Sequence, residues 1–422
     1  MKKKLESEKA DQINEKIKKV KEIQNQAVKY SKDFPYLLLT FATGVGKTLS
    51  AIKIAVSDIL EQTEEEDKQW TIAVEETSSI SSWNQEFKKH DLTSFRKYFE
   101  IITYASIRKN KNKRIILDEC HHAISDFRIS SLKSHKLEKI VALSATMDKF
   151  KKDKLNQLGV FKQYDYPLKK AIKEGILPTP EIKVHLIELE NKERNLYFKI
   201  NRGNKKDRFK IMCDYDTYVK NHSFTSKASE YHINCTPKEY YKLFCEEIDK
   251  AKKQYTMFKH KGLMFKWLNL ASSRKRFIAE QKTNILADLI KEEKIKKRYI
   301  VFCGSIKQAK EVRQYENIIH SNQSQEKNQQ VIDKFNKRRI SSIFCVQKLR
   351  EGINIYDLDF GIITQIDSGA LSFIQMVGRA LRSEKPLIHM IVIKKTKDQE
   401  YYEKIKKEIG EEFFTEIERK NK

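Results

Sequence analysis

The sequence predicts an α/β protein in which two parallel-sheet lobes stand in tandem around a mostly helical middle segment. Three observations carry that expectation. Short apolar runs, suited to strands buried on both faces, recur at 37–41, 71–74, 100–103, 115–117 and 140–143, separated by polar or helical stretches. A second such series occupies 299–303, 318–320, 343–346, 360–366 and 387–393. A chain of 422 residues, 39% hydrophobic with only 12 Gly and 6 Pro, exceeds what one core encloses and lacks low-complexity character.

In chain order, residues 1–33 read as a charged helix with Ile13, Ile17, Val20 and Ile23 at helical spacing. The first strand series follows. From 181 the pattern changes: one more strand-like run, 182–189, precedes a Lys- and Tyr-rich stretch reaching about Arg276. The second series follows, and the tail from Lys394 reads as a charged amphipathic helix. The expected domains are therefore 1–180, a linker strand with helical insertion over 181–280, and 281–422.

Lys and Arg total 84 against 58 Asp and Glu, a net charge of +26 that favours polyanions and makes nucleic acid the first partner to test. Cys120, Cys213, Cys235, Cys245, Cys303 and Cys345 form no CxxC pair, so neither a zinc site nor a disulfide framework is indicated. No apolar segment follows the basic start and no run of 18 apolar residues occurs, so no membrane partner and a cytoplasmic location, bacterial or viral-host, are expected.

Two motifs carry chemistry in the first half. After the 37–41 run comes Thr43-Gly44-Val45-Gly46-Lys47-Thr48, then a helical pattern. Glycines let backbone N–H groups turn onto phosphates, Lys47 can reach the β and γ oxygens, and the Thr48 hydroxyl can ligate Mg²⁺. The longer phosphate-loop pattern would place Gly where Phe41 stands, so the short form alone is met. About seventy residues later the strand 114–117 runs into Asp118-Glu119-Cys120-His121-His122. Carboxylates at the C-terminal end of such a strand lie on the edge where α/β ligands bind: Asp118 to hold Mg²⁺, Glu119 to polarise an attacking water. Two adjacent histidines point in different directions and make a poor zinc site.

With these residues the chain resembles the superfamily 2 helicases, in particular the DExH-type translocases related to the motor subunits of type I and type III restriction enzymes. Further segments follow in that family's order. Gln24-Asn25-Gln26-Ala27 is similar to the adenine-side Q element, and Trp83 to Phe87 stands where the first nucleic-acid motif falls. Thr103-Tyr104-Ala105-Ser106 resembles a further strand-contact element, and Ser144-Ala145-Thr146 matches the motif that, with His121, couples the ATP site to movement. In the second half, 300–305 ending at Ser305 resembles motif IV, and Leu349 to Asn354, with Gly352 and Asn354, resembles motif V. Gln375, Gly378, Arg379 and Arg382 satisfy QxxGRxxR. Two guanidiniums three residues apart share a helix face and can both be aimed at a γ-phosphate.

The resemblance implies two RecA-like lobes, ATP and Mg²⁺ as cofactors, catalytic roles for Lys47, Glu119, Gln375, Arg379 and Arg382, and movement along a nucleic acid, DNA favoured over RNA. An RNA helicase, a viral DNA-packaging ATPase and a non-hydrolysing ATP-regulated clamp are the alternatives. About forty residues follow Arg382, so a nuclease or a replication or repair activity would come from a separate subunit. One departure stands out: Glu75-Glu76-Thr77 replaces the family's Pro-Thr pair and puts carboxylates where a phosphate contact is expected. The aromatics interleaved with lysines in the middle segment fit either base stacking or the core of a helical insertion.

Overall fold

The computed structural model describes residues 2–191, 194–199, 230–293, 297–312, 317–346, 355, 358–366 and 386–420. Helix α1 (Lys2–Asp33) leads to β1 (Tyr36–Phe41) and, through a Gly-rich turn, to α2 (Lys47–Glu61). Then come β2 (Trp70–Val74), α3 (Thr77–Lys89), β3 (Phe99–Thr103) and β4 (Arg114–Leu117). The first lobe continues with α4 (Asp126–Lys133), β5 (Lys139–Ser144), α5 (Lys149–Leu155), β6 (Lys162–Tyr166) and α6 (Leu168–Lys173).

These strands form one parallel sheet in the order β3-β2-β4-β5-β1-β6. The run Leu37-Leu38-Leu39 shows why it is doubly covered. All three side chains are fully buried, and Leu37 and Leu39 join one core cluster while Leu38 joins another, as strand alternation requires. Strand β6 escaped the sequence reading because it is an edge strand of polar composition, with only Tyr166 buried.

The second sheet begins earlier than the domain reading had it. Strand β7 (Glu181–Ile187) lies inside this sheet rather than linking to an insertion, between β14 (Leu387–Ile393) and β15 (Phe414–Glu418). Its backbone is paired on both edges, Glu181 with Leu387 and Ile182 with Phe414, and its apolar side chains are buried on the sheet faces. The remaining strands are β10 (Tyr299–Cys303), β11 (Ile318–His320), β12 (Ser342–Val346) and β13 (Phe360–Ile363). The order is β11-β12-β10-β13-β14-β7-β15, again parallel. Helices α9 (Thr283–Glu293), α10 (Ile306–Val312) and α11 (Gln325–Asn336) belong to this lobe, as does α12 (Lys397–Ile409), the expected charged tail helix. That helix does not end the described chain, since β15 follows it.

The middle segment is not helical throughout. An antiparallel strand pair, β8 (Arg194–Lys199) with β9 (Glu230–Cys235), precedes the long helices α7 (Pro237–Phe258) and α8 (Lys261–Glu280). A capping box, in which Thr236 and Glu239 satisfy each other's backbone N–H, and Pro237 in the first turn start α7. Tyr240, Phe244 and Phe277 pack together with ring centroids 4.9–6.1 Å apart, so these aromatics are core.

Candidate active site

The order of the first sheet places three chemistry-bearing turns side by side. Strand β5 lies between β1 and β4, so the segments after β1, β5 and β4 leave the same C-terminal edge. Neighbouring strands are about 4.8 Å apart, which separates the β1 and β4 turns by roughly 10 Å, a span a lysine side chain can close. It does: Lys47 Nζ lies 3.6 Å from Glu119 Oε1.

The loop after β1 turns because Gly44 and Gly46 both adopt φ of +96°, a region side-chain-bearing residues avoid. A Cβ on Gly46 would also stand 3.0 Å from Gln24 Nε2, so Gln24 packs closely over the turn. Phe41, where the longer loop pattern would have Gly, ends β1 as a fully buried core ring packed on Tyr164 at 5.1 Å. The turn is closed by Val45 N–H donating to the Ala42 carbonyl, and Lys47 and Thr48 open α2, whose first-turn N–H groups face the loop. Gln24 is buried against this loop and its amide oxygen accepts from Lys53 Nζ at 2.7 Å. Gln24 and Lys53 also form the polar end of a cleft of about 770 Å³, walled by Ile17, Val20, Leu49 and Val56 of α1 and α2.

At the end of β4, Asp118 N–H donates to Ala73 O of β2, and the chain then bends sharply. Glu119 has φ +44°, a left-handed conformation costing about 1–3 kcal/mol that clusters at functional sites. Its Oε2 is buried, makes no hydrogen bond among the described residues, and lies 3.5 Å from His121 Nδ1. The rings of His121 and His122 stand 4.2 Å apart. Burial pushes the thiol of Cys120 well above its ordinary value, which suits a packing residue and not a ligand.

Asp118 is held by two residues that the sequence reading placed in nucleic-acid motifs. Trp83, expected in the first nucleic-acid motif, is 2% exposed, and its indole N–H donates to Asp118 Oδ2 at 2.8 Å. Phe87 of the same helix is buried against Phe99. Tyr104, expected to face a strand, is fully buried and donates its hydroxyl to the Asp118 carbonyl at 2.9 Å. Both rings are packed inside the first lobe. Sequence reasoning missed this support because Trp83 lies 35 positions from its partner, and only the β2-α3-β3 crossover brings them together.

The remaining assignments divide. Ser144 Oγ donates to Thr146 O at 2.7 Å, so Ser144-Ala145-Thr146 forms a tight turn beside both β1 and β4. Thr103 and Ser106 are partly exposed near the end of β3. Ser305 is 7% exposed and caps α10: its Oγ accepts from Gln308 N–H at 3.0 Å and lies 3.2 Å from Glu280 Oε1. Glu75, the unexpected carboxylate, accepts from Arg128 at 2.9 Å, so its charge is neutralised within the lobe. Gly352, Asn354, Gln375, Arg379 and Arg382 lie outside the described residues.

Residues 281–384 match the helicase conserved C-terminal domain family. The fold is similar to that of S. cerevisiae Dbp5 bound to RNA and ADP BeF3, at 13% identity over 94% of this chain and 89% of that one, TM-score 0.57. It is also similar to the DEAD-box helicase Mss116 bound to ssRNA and UDP-BeF, at 13% identity over 95% of this chain and 74% of that one, TM-score 0.56. No curated protein matches the sequence. The fold is thus a tandem of two RecA-like lobes, as expected, and the second carries the helicase C-terminal match. Among the described residues no helix is long and apolar enough to cross a membrane.

Proposed function

We propose that the protein is a nucleic-acid-stimulated ATPase of the superfamily 2 helicase type. The observation that carries this reading is the constellation on one sheet edge: Lys47 within 3.6 Å of Glu119, beside an Asp118 whose carboxylate is fixed by Trp83. The DNA preference implied by the sequence resemblance finds no support in the similar structures, which hold RNA. The reading therefore names a nucleic-acid strand, and the choice of sugar is an outcome of the assay.

In this reading the turn at 43–46 and the start of α2 cradle the phosphates, and Lys47 exchanges Glu119 for the β and γ oxygens. Thr48 and Asp118 would hold Mg²⁺; a hydroxyl and a carboxylate are the hard oxygen donors it takes, and the buried, unbonded Glu119 Oε2 leaves an acceptor facing the same space. Mg²⁺, when bound, neutralises charge on the phosphate oxygens. Glu119 orients the attacking water and accepts its proton, and His121 stands beside it with Nδ1 3.5 Å from Oε2. The cleft lined by Gln24 and Lys53 would take the base and sugar, since it adjoins the loop and its volume is in the range of ligand pockets. Arg379 and Arg382 would supply the cationic charge of the second lobe.

The test is ATP turnover against single-stranded, duplex and forked DNA and RNA, with Glu119→Gln alongside. Turnover should rise severalfold with at least one ligand. It should fall about a hundredfold or more in Glu119→Gln while ATP affinity stays near wild type. Loss of ATP binding together with turnover would make Glu119 a binding or folding residue.

A further inference from the structure

The sequence of the α7–α8 hairpin has an uneven charge distribution that the ATP site does not explain. From Lys250 to Ala279 there are nine Lys and Arg and no Asp or Glu. At its base the hairpin is anchored. Tyr240, Phe244, Leu270 and Phe277 are buried there, and Tyr241 Oη accepts from Lys397 N–H at 2.7 Å. Towards the turn, burial stops: between Ala251 and Leu270 no residue is buried. The helices are joined by only Lys259, left-handed at φ +50°, and His260, whose ring accepts from Gly262 N–H at 3.1 Å.

That unburied end is not polar. Met257 is 75% exposed, Phe258 66%, Phe265 58% and Leu268 48%, and residues 265 and 268 share a helix face. Beneath them Tyr255 and Trp267 stack, centroids 6.0 Å apart and planes 24° from parallel, with Lys259 over the tyrosine and Lys252 over the tryptophan. Exposed large apolar groups clustered at a tip mark an interaction site. The cations select the partner. Lys253, Lys261 and Lys266 have no acidic partner among the described residues, so an apolar, neutral or basic protein surface would leave them uncompensated.

We propose that the tip of this hairpin is a second nucleic-acid contact, separate from the lobes, in which Phe258, Phe265 and the Tyr255–Trp267 pair stack unpaired bases while Lys253, Lys259, Lys261 and Lys266 hold the phosphates. Every base has a π-face, so aromatic rings among lysines bind single strands with little sequence preference. A duplex offers phosphates but no free base faces, so the tip favours unpaired over paired nucleic acid. The proposal rests on the nucleic-acid reading above and adds a place and a structural preference to it.

The experiment uses the full chain and a labelled oligothymidylate, a labelled oligouridylate and a labelled duplex, with affinity read by anisotropy across a salt series. Phe258→Ala with Phe265→Ala replaces exposed side chains only and should weaken single-strand binding about tenfold or more, with duplex binding nearly unchanged and unstimulated ATPase intact. Lys259→Glu, Lys261→Glu and Lys266→Glu together should also lower the single-strand salt slope by about 2. The charge-matched change at Lys404, Lys407 and Lys420 should not. Trp267 should be quenched by a strand, and the other tryptophans, Trp70 and Trp83, are buried in the first lobe. Unchanged single-strand affinity and slope in both tip variants, with the wild type binding normally, would overturn the proposal alone. A wild type that binds no strand would overturn the reading beneath it. Loss of anionic-vesicle binding in the tip variants, with strand binding retained, would assign the tip to a lipid surface and overturn it too.

Discussion

Asp118 shows how single residues set this site. Its backbone N–H donates to the Ala73 carbonyl, its own carbonyl accepts from the Tyr104 hydroxyl, and its carboxylate accepts from the Trp83 indole. That hydrogen bond to one carboxylate oxygen holds the side chain in a single orientation. Removing such support around a metal ligand typically costs 10–100-fold in metal affinity. Trp83→Phe keeps the buried ring and deletes the N–H, so the Mg²⁺ concentration needed for half-maximal nucleotide binding should rise about tenfold or more. Phe99→Leu, in the same core, should lower stability without moving that midpoint. Equilibrium binding of a fluorescent ATP analogue against Mg²⁺ reads both. An unmoved midpoint in Trp83→Phe would reduce Trp83 to a packing residue. Residues 43–48, Asp118 and Glu119, which the fold gathers on one sheet edge, were legible because their pattern is local: glycines before a lysine, carboxylates after an apolar run. The burial of Trp83, Tyr104 and Ser305 was not legible for a related reason, since motif position says nothing of which way a side chain faces.

At the scale of elements, buried strands announced themselves and polar edges did not. The apolar runs of β1, β2, β4, β5 and β10 were legible, whereas β6, reading Lys-Gln-Tyr-Asp-Tyr, and β15, reading Phe-Thr-Glu-Ile-Glu, carry too little apolar signal to separate strand from loop. Beyond its backbone ladder with β7, the end of β15 is held by a polar chain. Arg419 forks onto Glu292 at 2.7 and 2.8 Å and donates through Nε to His185 Nδ1 at 2.9 Å. His185 therefore carries its proton on Nε2 and donates it to His389 Nδ1, also at 2.9 Å, leaving His389 Nε2 facing Glu293 at 3.7 Å. Burial depresses both imidazoles; His389 and Arg419 add to this at His185, and at His389 the pull of Glu293 is opposed by Lys183 and Arg419. The folded state thus binds fewer protons than the unfolded chain below the ordinary histidine value of about 6.5. Stability from this pair is complete above that pH and is lost as pH falls through it toward the folded values. The melting temperature should drop between about pH 7.5 and pH 5.5, and His389→Gln should shrink that drop by removing one titrating ring. An equal drop in the variant would place the acid sensitivity elsewhere.

The whole molecule poses the question of why two RecA-like lobes are needed when the phosphate loop, Asp118 and Glu119 all sit on one. In the proposed function the first lobe alone would bind Mg²⁺–ATP but leave the γ-phosphate facing solvent, where charge developing in the transition state is stabilised weakly. In the proposed function a guanidinium from the second lobe completes the site, and Arg379 is the residue the QxxGRxxR pattern assigns to it. Closure would then be favoured by a strand spanning both lobes, which makes turnover conditional on nucleic acid. Arg379→Ala leaves every described first-lobe contact in place, including the 3.6 Å Lys47–Glu119 pair, so nucleotide binding should stay within a few-fold of wild type. Turnover should collapse by about 10³ or more, the scale on which such arginines act in phosphoryl transfer, and stimulation should vanish. Strand affinity without nucleotide should change little, because the charge removed is aimed at phosphate of the nucleotide and not of the polymer. Measured on one preparation, with Lys47→Ala as the variant that loses first-lobe nucleotide contact, the three readouts separate the roles. Near-normal stimulated turnover in Arg379→Ala would refute a site shared between lobes. Weakened strand binding with ATPase intact would instead move Arg379 to the nucleic-acid surface.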